Sequence, residues 1–287
     1  MDSIVKRLSG RYSWLLFALA AAFVCAALRR WQLASAYRAE EGLFVRGAPA
    51  TYALLGFTAL LAVLFLLLLR EKREGADDFL PAFGSPSVGQ MTLFAAAGIL
   101  LFAAGGLGMQ EGFRELRLWQ ADPSMYQLSV PASRLLAGGL CVLAGFGTLL
   151  MGKMAYRWEM RDAACRLASV PALAGLVWLF STHLEHGSEP VLMKYGFTLF
   201  AALALTLAHY YAAGFLYGKP RPRRTLFFAL MGTALGITSL AGGPGLFHAA
   251  AAVAFSLSAL ALSMALLGGP WPERMPPAEE ETFEHDA

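Results

Sequence analysis

The sequence predicts an all-α integral membrane protein, a polytopic helical bundle of about eight transmembrane helices with the N- and C-termini cytoplasmic. The chain of 287 residues is 57% hydrophobic and only 15% charged, whereas charged residues make up about 25% of an ordinary soluble domain. Its apolar residues come in blocks of roughly 17 to 26, long enough to cross a core of ~30 Å as helices. Lys and Arg cluster beside alternate blocks, which is the pattern of the positive-inside rule.

The apolar blocks define eight spans within one transmembrane domain, residues 1–269. The spans lie near residues 12–28, 51–69, 90–109, 135–151, 167–184, 191–216, 225–240 and 246–267. The segments between them are polar or carry proline and glycine, which mark loops. Residues 270–287 are Pro-rich and then acidic, so we expect a disordered cytoplasmic tail.

The first block, residues 12–28, follows a short basic start and has two interpretations. A cleaved signal peptide and a retained first span share this pattern. The block is long for the apolar region of a signal peptide, and many further blocks follow it. A retained span is therefore favoured.

The longest predicted connection runs from Gln110 to Ser133. Its first part mixes Phe113, Leu116 and Trp119 with acidic and basic residues. A helix lying at the membrane interface and a solvated loop explain this composition equally well.

The basic residues predict the orientation of the bundle. With the N-terminus inside, 15 of the 23 Lys and Arg residues fall on the cytoplasmic side. Arg29 and Arg134 are among those assigned to external connections. We expect a cell membrane, namely the bacterial cytoplasmic membrane. The bilayer is thus the first partner, and nucleic acid is not expected because the basic residues flank apolar blocks.

His209 is the deepest titratable side chain in the predicted spans. An intramembrane ionisable group is a functional candidate because charge is expensive in hydrocarbon. The ring would bind a ligand or relay a proton in one interpretation. In the other, which is favoured, it is a neutral imidazole hydrogen-bonded to a neighbouring helix.

A second group of candidates lies where the fifth span meets the sixth: Ser181, Thr182, His183, Glu185, His186 and Glu189. His183 and His186 share a helix face, and with Glu189 they would suit zinc. An ordinary wet helix end explains the same residues, and it is favoured because HxxxH and HExxH patterns are missing. We therefore expect no metal and no cofactor. His248 is predicted on the same side of the membrane.

No catalytic motif is found, so we do not expect an enzyme. Two functions remain: a permease-like or small-molecule-binding membrane protein, and a non-catalytic membrane subunit or scaffold acting through a protein partner. A polar cavity lined from several spans would favour the first. A lipid-facing GxxxG stripe with a closed interior would favour the second, and Gly232 and Gly236 form such a motif, suited to helix packing or to a homo-oligomer.

The segment YRAEEGLFVRG, from Tyr37 to Gly47, precedes an apolar span, and the stretch EPVLMKYGFTLFAALALTLAHYYAAGFLYGKPRPRR covers the sixth. Both resemble segments of an uncharacterised family of multi-pass membrane proteins of Firmicutes. The resemblance covers under a fifth of the chain. It implies a multi-pass membrane fold and no particular activity.

Overall fold

The computed structural model describes residues 2–38, 40–70, 78–124, 127–187 and 191–268. These residues form the predicted all-α bundle. The helices are α1 (Asp2–Ala36), α2 (Pro49–Arg70), α3 (Phe79–Phe83), α4 (Val88–Ala121), α5 (Ser129–Arg157), α6 (Asp162–Ala168), α7 (Val170–Glu185), α8 (Leu192–Leu216), α9 (Pro222–Leu240) and α10 (Leu246–Gly268). Strands β1 (Tyr37–Arg38) and β2 (Leu43–Phe44) pair as an antiparallel hairpin between α1 and α2.

Seven helical segments of the described chain are long and apolar enough to cross a membrane. The predicted span at residues 225–240 is the exception, although it forms the helix α9 as expected. Its hydroxyl residues are buried, and each donates a hydrogen bond to a backbone carbonyl three or four residues earlier, as seen for Thr225, Thr233, Thr238 and Ser239. The lower apolar content of α9 therefore follows from its position inside the bundle.

α9 nevertheless traverses the bundle. It runs antiparallel to α8: Arg224 donates to the Tyr211 hydroxyl at one end, and Gly232 packs on Leu205 in the middle. At the other end, Ser239 and Lys194 line the same cavity. These contacts cover most of the length of α8, so eight helices cross the bundle although seven qualify by composition.

The long helices alternate in direction, which gives the bundle two ends. We call the end that carries β1 and β2 the hairpin end, and the end that carries Lys219–Arg224 the basic end. α1 begins and α10 finishes at the basic end, where Leu262 and Ala265 of α10 pack with the short helix α3 and with Phe215 of α8. An even number of crossings thus places both ends of the described chain on one side.

α4 and α5 approach each other through glycines. A Cβ added to Gly105 would lie 2.8 Å from the Gly138 carbonyl oxygen, and one added to Gly138 would lie 2.9 Å from that of Gly105. Gly98 and Gly145 repeat this arrangement two turns further along. Without side chains at these positions the two backbones come into direct contact, which is how helices associate in lipid.

Three helices extend beyond the predicted spans. α1 continues past residue 28 to Ala36, α4 continues past residue 109 to Ala121, and α5 begins at Ser129 instead of residue 135. The segment beginning at Gln110 is therefore neither an interfacial helix nor a solvated loop but the last turns of α4. Arg29 and Arg134 lie within helices, because partners inside the bundle allow a helix to continue past its first charged residue.

The fifth predicted span is interrupted. α6 and α7 meet at Ser169, two residues before Pro171, whose missing N–H cannot bond the Leu167 carbonyl. That carbonyl lies against α5, where a Cβ on Gly147 would approach its oxygen to 2.2 Å. The gap after the second span also contains structure that was not expected, the single-turn helix α3.

The predicted interaction face of α9 is covered within the chain. A Cβ on Gly232 would meet Leu205 of α8 at 2.9 Å, and one on Gly236 would meet the Ser256 hydroxyl of α10 at 2.3 Å. These glycines are therefore used for packing inside one chain and are not open to a second copy. The predicted acidic tail, residues 270–287, lies outside the described residues.

Candidate ligand-binding site at the hairpin end

A buried arginine collects three carboxylates at the hairpin end. Arg134 of α5 is 2% exposed and forms ion pairs with Glu111 and Glu115 of α4 and with Glu185 of α7. Glu111 and Glu115 are one turn apart and therefore share the face of α4 that meets α5. Removing a charge from water costs on the order of several kcal/mol, so a buried charge needs such compensation. Arg134 thus ties the ends of three helices together.

Glu185 also contacts His248 of α10, whose Nε2 lies 2.5 Å from the carboxylate oxygen. On its other side the imidazole meets Trp178, whose Nε1 donates to Nδ1 at 3.0 Å. Because an indole nitrogen can only donate, Nδ1 must accept, and the ring proton is on Nε2. His248 therefore donates to Glu185 as a neutral imidazole of defined tautomer.

This arrangement continues into the core through aromatic contacts. Trp178 stacks on Phe255 with ring centroids 5.5 Å apart, and Phe255 meets His209 edge to face at 5.1 Å. His209 donates from Nδ1 to the Leu205 carbonyl at 2.8 Å and accepts at Nε2 from the Ser258 hydroxyl at 2.9 Å. The ring is 2% exposed, so both of its nitrogens are satisfied by the protein itself.

A second buried arginine at this end has no acidic partner among the residues that the structure describes. Arg29 of α1 is 1% exposed and donates to Gln32 Oε1 at 2.5 Å and to the Lys194 carbonyl at 2.9 Å. Its guanidinium also lies over the rings of Phe44 and Phe197, at 5.8 and 5.2 Å. Its Nε is buried without a hydrogen-bond partner, and no ion pair with Arg29 is found among the described residues.

Arg29 lines a cavity of about 170 Å³. The other walls come from α7, α8, the end of α9, the following turn and the start of α10, and they include Glu185, His186, Lys194, Tyr195, His248 and the glycine-rich segment 242–245. The turn packs close to the arginine, since a Cβ on Gly242 would lie in van der Waals contact with Nε at 3.8 Å. At about 30 Å³ for each water molecule, the cavity has space for a small polar group and a few waters.

The sequence-predicted candidates fall in different places. His186 lies in the cavity wall, donates from Nδ1 to the Thr182 carbonyl at 2.9 Å and stacks on Tyr195. His183 is exposed on another face of α7. Glu189 lies outside the described residues, and His209 is in the core. In the part of the chain that the structure describes, no three His, Cys, Asp or Glu side chains are grouped to hold a metal ion.

Sequence reasoning missed Arg29, Arg134, Glu111 and Glu115 as members of the site. Each was assigned to a connection because it lies just beyond an apolar block. A signal for the glutamates was present, since their spacing of four places both carboxylates on one helix face, where a basic side chain of a neighbouring helix could pair with them. Nothing in the local sequence separates Arg29, which is buried, from Arg30, which is exposed.

The fold and the site together define an integral membrane helical bundle with a buried polar cavity at one end. Comparisons with protein-family models, with curated protein sequences and with solved structures give no match.

Proposed function

We propose that the protein is permease-like and binds a small molecule in the cavity beside Arg29. The observation that carries the proposal is a buried arginine that lines a polar cavity and has no carboxylate partner among the described residues. Charged groups inside membrane proteins are expensive, and they mark ligand and ion pathways. A ligand that supplies a hydrogen-bond acceptor would complete the coordination of Arg29.

The construction of the cavity supports the same function. Its walls come from α1, α7, α8, α9 and α10 and from the turn between α9 and α10. A ligand bound there would contact groups that move whenever one helix shifts against another. Glu185 and His248 are held in place from behind by Arg134 and Trp178, so this wall is preorganised.

The alternative of a scaffold has less support. The scaffold interpretation required Gly232 and Gly236 to form an exposed packing face. Both glycines are instead covered by α8 and α10 of the same chain. The proposal includes a place in the bacterial cytoplasmic membrane and no catalytic step.

A thermal-stability screen tests the proposal. Wild type, Arg29→Gln and Arg30→Gln are purified and melted with a library of water-soluble metabolites. A ligand present at 100 times its Kd stabilises the folded state by about 2.7 kcal/mol. We expect such a compound to raise the Tm of the wild type and of Arg30→Gln, which loses the same charge from an exposed site, but not of Arg29→Gln. Equal shifts in all three proteins would count against the cavity as the binding site.

A further inference from the structure

An apolar groove of about 570 Å³ lies next to the polar cavity. It is formed by α2 and α8, with α9 as its floor, and its walls include Leu55, Leu192, Phe200, Phe227 and Leu235. Volumes of ~300–1,000 Å³ are typical of pockets that hold small molecules. Since these helices belong to the membrane bundle, the groove opens toward hydrocarbon, not water.

The groove and the polar cavity share a wall. Phe197 lines both of them, and the guanidinium of Arg29 lies over its ring at 5.2 Å. Leu192 and Met193 border the groove, whereas the next two residues, Lys194 and Tyr195, border the cavity. One face of the site is therefore charged and polar, and the adjoining face is hydrocarbon-like.

The depth of the groove matches one leaflet of a bilayer. Its α8 wall runs from Leu192 to Ala204, which is about 18 Å at 1.5 Å per residue. Half of a hydrocarbon core of ~30 Å is about 15 Å. A single hydrocarbon chain that begins at the level of Arg29 would thus reach close to the middle of the membrane.

We propose that the ligand is an anionic amphiphile, with a carboxylate or phosphate head group bound by Arg29 and one hydrocarbon chain in the groove. This inference rests on the proposed function and assigns its ligand class. The groove alone gives little selectivity, because bulk lipid tails are as apolar as the side chains that line it. Selectivity comes from the head group, which must compensate the buried charge of Arg29.

The charges around the cavity select an anion over a zwitterion. Glu185, the one carboxylate in the described cavity wall, is already paired with Arg134 and accepts a hydrogen bond from His248. A ligand ammonium group would therefore compete with Arg134 and His248 for this carboxylate. Among the described residues Arg29 has no carboxylate partner, and its planar guanidinium suits two oxygens of one head group.

Photolabelling in nanodiscs of uncharged phosphatidylcholine tests the inference. The probes share one diazirine-bearing hydrocarbon chain and end as a fatty acid, an alkyl phosphate or an uncharged fatty alcohol. Labelled peptides are identified by mass spectrometry. We expect at least one anionic probe to label α2, α8 and α9 severalfold more than the alcohol does at alkaline pH. This preference should disappear in Arg29→Gln and persist in Arg30→Gln.

A second pair of variants tests the groove itself. Gly196 lines the groove, and a Cβ there would make only ordinary contacts at 3.6 Å or more, so Gly196→Leu should fold and fill the space. Gly106→Leu is the control, since a Cβ at Gly106 has nothing within 4 Å. We expect Gly196→Leu, but not Gly106→Leu, to reduce labelling by the anionic probe severalfold.

Equal labelling of the wild type by the anionic probes and the alcohol would contradict the proposal that the ligand is an anionic amphiphile. So would a preference that is unchanged in Arg29→Gln. A water-soluble compound that stabilises the wild type and not Arg29→Gln would, in that case, still support small-molecule binding. If no such compound existed either, both proposals would fall.

Discussion

At the scale of single residues, the two buried arginines of the described chain have different partners. Arg134 is surrounded by Glu111, Glu115 and Glu185, whereas the hydrogen-bond acceptors of Arg29 among the described residues are an amide and a backbone carbonyl. The first arrangement holds helices together within one chain. The second leaves positive charge beside an empty space, which is why we assign structure to Arg134 and ligand binding to Arg29.

Replacing Arg134 should therefore be strongly destabilising. Arg134→Leu would leave three carboxylates near one another without their shared cation, and breaking a buried ion pair from one side costs about 3–5 kcal/mol. The measurement is denaturant unfolding of the purified protein. Arg114→Leu removes a nearby exposed charge and should change the free energy of unfolding little. Equal effects of the two substitutions would contradict the structural role of Arg134.

His209 allows a similar test inside the core. Ser258→Ala would remove the donor to Nε2 of His209 and should cost about 1–3 kcal/mol, because a buried polar atom would lose its partner. Adding His209→Leu should recover part of this loss. Ser256→Ala, in the same helix, removes a buried hydroxyl that has no partner and should be neutral or stabilising. Additive effects of the first two substitutions would show that the side chains are not coupled.

At the scale of secondary-structure elements, small residues decide where helices meet. α4 and α5 are in contact along glycines of both helices, and α9 places its own glycines against α8 and α10. Within lipid there is no hydrophobic driving force between helices, so close packing and backbone contacts must hold them together. The exposed side chains of α2, including Leu60, Leu66 and Leu67, are left to face hydrocarbon.

Two neighbouring glycines of α4 make this argument testable. A Cβ on Gly105 would lie 2.5 Å from Val142 Cγ2 and 2.8 Å from the Gly138 carbonyl, so Gly105→Ala should separate the helices. Overpacking of this kind lowers the free energy of unfolding by about 1–3 kcal/mol. Gly106→Ala is the matched control: nothing lies within 4 Å of its Cβ, and alanine favours the helix. A Tm for Gly105→Ala at or above that of Gly106→Ala would disprove the close approach.

At the scale of the whole molecule, eight crossing helices give the protein two chemically distinct ends. The basic end carries Lys219, Arg221, Arg223 and Arg224, and the hairpin end carries the cavity and both buried arginines. The positive-inside rule predicts that the basic end is cytoplasmic. The proposed site would then be open to the external side of the membrane.

Cysteine labelling from outside intact cells tests this orientation. The native cysteines, Cys25, Cys141 and Cys165, are buried, so they should contribute little background. Gly187→Cys, at the exposed end of α7, should react with a membrane-impermeant maleimide. Arg221→Cys, at the exposed basic end, should react only after the cells are opened. The reverse pattern would place the cavity in the cytoplasm.

The sequence by itself determined the class of protein, the eight helices and their approximate centres. These properties are local, because the thickness of the bilayer sets the length of an apolar block wherever it occurs in the chain. α8 and α10 illustrate this, since their observed bounds lie within one residue of the predicted spans.

Only the tertiary structure decided the site. Arg29 meets the backbone of Lys194 across 165 positions of sequence, and Glu185 meets His248 across 63. Whether a charged residue at the end of an apolar block faces water or a buried partner depends on helices that are distant in the chain. Gly232 and Gly236 likewise pack against α8 and α10 of the same chain. A small-residue motif does not specify which helix it packs against, so the sequence could not show this. The local sequence determines whether a helix is stable in the bilayer. Whether a charged residue of that helix can be buried depends on neighbouring helices that supply the compensating groups.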